Sequence, residues 1–333
     1  MKLFIRAPFT SEKIEELREL FTEIVYEPWT KNGQRYYEDD MIEALRQHQP
    51  DVLITELDKV TDKVLRNYKN LKAVGDCRAV PANIEVDACT KNGIPVICTP
   101  GRNAQAVAEM LVGLLLSYMR NIIPSVNWVK KKKWVEGTTP YHLWMGNELS
   151  GKTIGFVGFG AVGQAAARIL EAFGCKITYY DPFVKIENSN YEKKELADLF
   201  GSSDIISLHL PSIPETEKMI DLNLMKSVKK NAILINTARS SVIDMEALET
   251  VIKDGVISGV ILDVLDNEPP SDEDLRLIKY ENVLITPHIC GATYEVTDHQ
   301  STIMTERLKK YFQEGLKEGV LYNYRDLGER DEK

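Results

Sequence analysis

Residues 151–170 read GKTIGFVGFGAVGQAAARIL, and this stretch decides the fold. Thr153 to Val157 is a short apolar run of strand character. Gly158, Gly160 and Gly163 follow in GxGxxG spacing, and Ala165, Ala166 and Ala167 carry the chain into a helix. Each glycine has its own reason. The first permits a tight turn, the second lets a pyrophosphate approach the backbone, and the third lets the helix lie close on the strand. The next apolar run, Lys176 to Tyr180, ends at Asp181, where a carboxylate can accept hydrogen bonds from both hydroxyls of an adenosine ribose. If Gly160 only relieved a turn and Asp181 only capped the helix after Pro182, their shared spacing would have no cause. The three features together predict a dinucleotide site. The charge of Asp181 would repel a 2'-phosphate, and no arginine follows in Pro182, Phe183 and Val184, so NAD is expected over NADP.

Outward from this unit, Val- and Ile-rich runs alternate with helical periodicity along the whole chain, the pattern of doubly wound parallel α/β sheets. After the glycines, strands are expected at Thr153–Val157, Lys176–Tyr180, Ile205–Leu208, Ala232–Asn236, Ser258–Asp263 and Val283–Ile285, six in all as in a full Rossmann fold. Before them, strands are expected at Lys2–Ile5, Glu23–Val25, Val52–Ile54, Ala73–Val74 and Val96–Cys98. Helices lie near Glu12–Phe21, Asp40–Gln47 and Ile84–Lys91, and a long one, apolar nearly all round, runs from Ala104 to Met119. A last helical pattern, Tyr294 to Phe312, falls beyond the dinucleotide fold and is expected to return to the first domain. The expected division is therefore residues 1–100 plus 293–333 as a discontinuous domain and 101–292 as the nucleotide domain.

With 333 residues, 44% of them apolar, the chain can bury two cores. A net charge of -9 speaks against a protein that coats duplex nucleic acid. Lys130 to Lys133, flanked by Trp128 and Trp134, could bind a single strand, but a solvated helix face explains the same letters, and no nucleic-acid partner is expected. Cys77, Cys89, Cys98, Cys175 and Cys290 are odd in number and lack metal-ligand spacing, which suits reduced thiols in the cytoplasm and no metal. The longest apolar run, Met110 to Met119, is half the length a bilayer requires; it is read as a buried helix or an oligomer face, with a homodimer expected and no membrane partner.

Ligands of open α/β sheets collect beyond the carboxyl ends of strands. Just past the apolar runs stand His209, Thr237 with Arg239, Asp263 and His288. Redox chemistry on a hydroxy acid requires a cation for the carboxylate, an acid/base for the alcohol proton and a neighbour to poise that base. Arg239, His288 and Glu268 meet those requirements.

The stretches NTARSSVID, LDVLDNEPP and ITPHICGAT, downstream of the glycines, resemble the D-isomer-specific 2-hydroxyacid dehydrogenase family, which includes phosphoglycerate dehydrogenases and glyoxylate/hydroxypyruvate reductases. The resemblance covers nearly the whole chain, in order. It implies that the Rossmann domain is inserted in a discontinuous, flavodoxin-like substrate domain, with the active site in the cleft. It implies that Arg239 holds the substrate carboxylate and carbonyl oxygen, that His288 moves the proton and that Glu268 pairs with His288. The turn Phe159, Gly160, Ala161 and Val162 would meet the pyrophosphate. His209, Leu210 and Pro211, with Thr237, Ala238, Asp263 and Gly291, would line the adenine and nicotinamide ends.

Two positions depart from the family. Ser240 follows Arg239 where a glycine is usual, and the substrate loop, usually glycine-rich, reads Gly75-Asp76-Cys77-Arg78-Ala79-Val80-Pro81-Ala82-Asn83. Cys77, Arg78 and Ala79 are the substrate contacts this loop would offer, Arg78 serving a second acidic group or else pairing with a neighbouring carboxylate. The expected activity is NAD-dependent hydride transfer between the cofactor and a 2-keto or D-2-hydroxy acid. Oxidation of another small anion such as phosphite is one alternative. An NAD-sensing, corepressor-like binding role on the same fold is another.

Overall fold

The computed structural model describes residues 1–186 and 190–328. They divide into two compact units, Met1–Arg102 with the chain from Thr293 onward, and Asn103–Ala292.

The first unit is built on β1 (Lys2–Ile5), β2 (Glu23–Tyr26), β3 (Val52–Thr55), β4 (Ala73–Asp76) and β5 (Val96–Cys98). They form a parallel sheet in the order β2-β1-β3-β4-β5, the flavodoxin-like winding. Alternation along each strand explains its two cores. Phe4, Leu53 and Val74 face Met41 and Leu45 of the helix Glu38–His48. Leu3, Ile5 and Ile54 face Met304 and Leu308 of the returning helix Val296–Phe312.

Winding reverses between β1 and β3, the place where such sheets open a crevice. Here Arg6, just past β1, and Asp58, just past β3, form an ion pair at 3.3 Å with side chains 2% and 0% exposed. The Arg6 guanidinium also donates to the Glu27 and Gln34 carbonyls at 2.7 and 2.9 Å and lies 3.5 Å from the Tyr36 ring centroid. A structural ion pair occupies that crevice.

The second unit carries β6 (Thr153–Val157), β7 (Lys176–Tyr180), β8 (Glu192–Lys193), β9 (Ile205–Leu208), β10 (Ile233–Asn236), β11 (Gly259–Leu262) and β12 (Val283–Ile285). All are parallel, in the order β12-β11-β10-β9-β6-β7-β8. The helices Ala104–Met119 and Ala161–Ala172 share one face, where Ala108, Leu111 and Leu115 meet Ala165 and Ala166. Leu199, Leu248 and Val251 cover the other. The α/β class and doubly wound parallel sheets agree with the reading of the sequence. The seventh strand, β8, was not foreseen, and the expected helix Glu12–Phe21 ends at Glu16 and tightens into a 3-10 turn, Leu17–Glu19.

Among the described residues no single helix is long and apolar enough to cross a membrane, and no group of three or more His, Cys, Asp or Glu is placed to hold a metal.

Candidate active site

The carboxyl edge of the second sheet gathers the polar residues. Across neighbouring strands, Asp181 follows β7, Gly158 β6, His209 β9, Thr237 and Arg239 β10, Asp263 β11, and His288 lies beyond β12.

At one end is a cradle. Gly158 has φ +88°, and a Cβ there would stand 2.6 Å from the His209 carbonyl oxygen. A Cβ on Gly163 would stand 2.8 Å from the Gly158 carbonyl oxygen. The protein itself demands both glycines. Gly160 is different: a Cβ there meets nothing within 4 Å, so the space it leaves open lies outside the fold, at the start of the twelve-residue helix Ala161–Ala172. Unpaired helix amides and an open approach fit a pyrophosphate. Phe159 is fully buried, its ring stacked on Tyr179 with centroids 4.4 Å apart and its amide given to Asp181, so it supports the cradle from beneath, with exposed Ala161 and half-buried Val162 beyond.

Asp181 is held by the turn. One oxygen accepts the Phe159 amide at 2.8 Å, the other the Phe183 and Val184 amides at 2.9 Å each. Burial opposes its charge, but these amides outweigh burial and hold the carboxyl below its ordinary range. Three of the carboxylate's four acceptor sites are thus taken, and the oxygen that meets Phe159 keeps one for a ribose hydroxyl.

The His209 ring is 2.9 Å from the Ser207 hydroxyl and stacks on Phe156 at 5.6 Å. Burial pushes its pKa down to about 4, so the imidazole is neutral. Leu210 beside it is buried and Pro211 exposed. The Thr237 hydroxyl is buried without a hydrogen-bond partner, an unmet polar group of the kind a bound cofactor satisfies. These residues fit a dinucleotide.

At the other end, His288 Nδ1 meets Glu268 Oε2 at 2.7 Å, the two side chains 45% and 43% exposed. His288 has φ +53°, a left-handed conformation uncommon for a residue with a Cβ. Asp263, 1% exposed, enforces it. Its carboxylate accepts the Thr286 hydroxyl at 2.6 Å and the Ile289 and Cys290 amides at 3.0 and 2.8 Å. Beyond, a Cβ on half-buried Gly291 would strike the Asn103 amide nitrogen at 2.6 Å.

Arg239 is exposed, one guanidinium nitrogen donating to the Ala238 carbonyl at 2.6 Å. Asn236 folds this turn by donating to the Arg239 carbonyl at 2.8 Å and accepting the Ala238 amide at 3.0 Å. Sequence reading had assigned nothing to Asn236; the signal was an Asx residue two positions before a strand-end turn.

The remaining expected contacts belong to the first unit, at the carboxyl end of β4. Cys77 is fully buried, which pushes its thiol up, and its amide is spent on the Thr55 carbonyl at 2.8 Å, so the structure gives this expected contact no exposed atom. Arg78 is half-buried and Ala79 exposed. Asp76 is buried with neither oxygen hydrogen-bonded, and burial holds its carboxyl well above the ordinary range. No ion pair joins it to Arg78 among the described residues. A groove of about 1140 Å³ opens at the opposite, amino edge of the second sheet, lined in part by Tyr118, Asn127, Trp144, Lys152 and Asn282; it lies away from the His288–Glu268 pair.

The family model for the NAD binding domain of D-isomer specific 2-hydroxyacid dehydrogenases matches residues 112–290. The chain is 46% identical over 312 residues to the protein YoaD of Bacillus subtilis (strain 168), by name a putative 2-hydroxyacid dehydrogenase, covering 93% of this chain and 91% of that one. It is 38% identical over 264 residues to the glyoxylate reductase of Thermococcus litoralis, covering 78% and 79%. The crystal structure of the TT0316 protein from Thermus thermophilus superposes with a TM-score of 0.79 at 28% identity, covering 97% and 100%. With the glycine cradle, the His288–Glu268 pair and these likenesses together, the chain belongs to the D-isomer specific 2-hydroxyacid dehydrogenases.

Proposed function

We propose that the protein is an NAD-dependent oxidoreductase that reduces a small 2-keto acid of the glyoxylate or hydroxypyruvate class and, in reverse, oxidises the D-2-hydroxy acid. The observation that carries this reading is the 2.7 Å contact between His288 Nδ1 and Glu268 Oε2, on the same sheet edge as the glycine cradle. The bound nicotinamide supplies the hydride in reduction and accepts it in oxidation.

Arg239, exposed and held by Asn236, binds the substrate carboxylate as a charge-assisted fork. His288 donates a proton to the carbonyl oxygen in one direction and removes it in the other. Glu268 engages Nδ1, which fixes the tautomer and leaves Nε2 to carry the transferred proton. The Phe159–Gly163 turn receives the pyrophosphate and Asp181 the ribose, its charge favouring NAD over NADP. His209, Leu210, Pro211, Thr237, Ala238, Asp263 and Gly291 support or border the remaining cofactor, Asp263 acting through the His288 loop. From the first unit, Arg78 and Ala79 are proposed as substrate contacts, with buried Cys77 beneath them, and that unit is proposed as the substrate domain. An exposed imidazole–carboxylate pair favours catalysis over a purely NAD-sensing binding role.

A homodimer is part of this reading, supported by exposed Ile122, Ile123, Val126, Val129, Leu143 and Met145 in one stretch of the second unit. A reducing compartment such as the cytoplasm suits its unpaired cysteines.

The test is NADH consumption across glyoxylate, hydroxypyruvate, 3-phosphohydroxypyruvate, pyruvate and branched keto acids, repeated with His288→Asn. Turnover on at least one, lost by on the order of a hundredfold in the variant, is expected. NADH binding without turnover on any of them would replace the reading with a binding role. A clear preference for the phosphorylated acid would assign Arg78 to its second anion.

A further inference from the structure

Glu268 meets His288, yet its own side chain is nearly half exposed, so the position of its carboxylate depends on the backbone that carries it. That backbone is the short loop from Asn267 to Ser271, and Asp274 holds it at both ends. Asp274, only 6% exposed, accepts the Ser271 amide at 2.7 Å and the Ser271 hydroxyl at 2.6 Å. It also accepts the Asn267 side-chain amide, at 3.0 and 3.3 Å to its two oxygens. The Ser271 hydroxyl in turn accepts the Asp274 amide at 3.3 Å. Both flanks of Glu268 are thus tied to one carboxylate.

Asp274 is itself well anchored. It begins the 3-10 helix Asp274–Lys279, whose far end is pinned by Glu249. Arg276, Lys279 and the Tyr280 hydroxyl each donate to that carboxylate at 3.0 Å. Force applied to the Glu268 loop is therefore met by a segment fixed to the helix Met245–Lys253.

We propose that Asp274 is a positioning residue for the proposed reaction: by tying Asn267 and Ser271 it sets where the Glu268 carboxylate stands against the His288 imidazole. The inference rests on the acid–base reading of His288 and Glu268. Catalytic groups misplaced by about 1 Å lose up to roughly a hundredfold in rate, so a loosened Glu268 loop has a measurable cost even though Asp274 touches no substrate.

The experiment is a double-mutant cycle on the full chain with a keto acid that it turns over, reading kcat, KM for both substrates and Tm. Glu268→Gln alone tests the acid–base reading. If it leaves kcat unchanged, that reading and this inference both fail, whatever Asp274 does. With that reading intact, Asp274→Ala is expected to lower kcat roughly tenfold, with KM for NADH within twofold, and to cause no further loss in the Glu268→Gln background. Asp274→Asn, which keeps one oxygen to accept from Ser271, should recover most of the rate. Equal kcat losses in both backgrounds, or a fall in Tm with kcat intact, would reduce Asp274 to a structural cap. Asn267→Ala removes one tie while leaving the Ser271 cap, and serves if Asp274→Ala does not fold; it should show the same non-additivity with Glu268→Gln, and additive losses would overturn the proposal.

Discussion

Asp263 Oδ2 accepts the backbone N–H of Cys290 at 2.8 Å, two residues beyond His288, while its other oxygen takes the Thr286 hydroxyl two residues before it. One buried carboxylate thus straddles the imidazole and holds its backbone at φ +53°. Replacing Asp263 by Asn puts an amide donor where an acceptor stood and leaves a backbone N–H unmet. The expected loss is about 2–4 kcal/mol of stability in urea unfolding, with kcat falling at least tenfold. An unchanged kcat in a correctly folded variant would show that the loop holds His288 without this anchor.

Gly158 and Gly160 should separate by experiment. Gly158→Ala places a methyl 2.6 Å from a carbonyl oxygen at φ +88°, so it should lower Tm and weaken NADH binding together. Gly160→Ala meets no protein atom within 4 Å and should keep its Tm while losing NADH affinity by tenfold or more, measured by fluorescence titration. A Gly160→Ala protein that binds NADH normally would place the pyrophosphate elsewhere.

His209 makes the fold acid-sensitive in a defined window. Its folded pKa is pushed down to about 4 by burial, whereas the unfolded chain takes up the proton near the ordinary value of about 6.5. The unfolded state therefore binds the proton first. Stability present above about pH 6.5 is lost as pH falls towards 4, by up to about 3 kcal/mol from this group. Tm of His209→Gln should fall less steeply between pH 7 and 4.5 than that of the parent; parallel slopes would mean the ring is solvated.

All five cysteines are buried and unpaired, and burial pushes the Cys89 thiol up to about 12 and the Cys98 and Cys290 thiols higher still. Thiolate is the reactive form, so the native protein should react slowly with a thiol-specific reagent and release five equivalents only in denaturant. Rapid loss of one equivalent with loss of activity would reveal a thiol open to solvent at the site.

Much of this was legible from the letters because single strands announce themselves. Val96–Cys98, Lys176–Tyr180 and Val283–Ile285 fall where the apolar runs placed them. The edge strand Glu192–Lys193 did not, since two exposed charged residues carry no alternation to read. For the site, residue types pointed to His288, Glu268 and Arg239, and the His288–Glu268 pairing is in the structure. The residues that hold their loops were harder to read: Asp263 was expected at the cofactor and instead anchors the backbone on both sides of His288, while Asn236 and Asp274 carried no signal. Asn236 and Asp263 act largely on backbone amides and carbonyls, partners that every sequence offers everywhere and that only the folded chain selects, and Asp274 acts on Ser271 and Asn267, two ordinary polar residues of a loop. Cys77 shows the converse: its place in the loop suggested contact, but strand alternation turns its side chain into the core.

The Arg6–Asp58 pair has an implication for how the two sheets divide their labour. Both are wound on similar principles, yet one has sealed its natural mouth with a guanidinium and a carboxylate, leaving nucleotide chemistry to its sibling. Reopening it by truncating Arg6 would leave the Asp58 carboxylate in a dry interior without its cation, at a cost of about 3–5 kcal/mol, so this half of the molecule could admit a nucleotide only at the expense of its own stability.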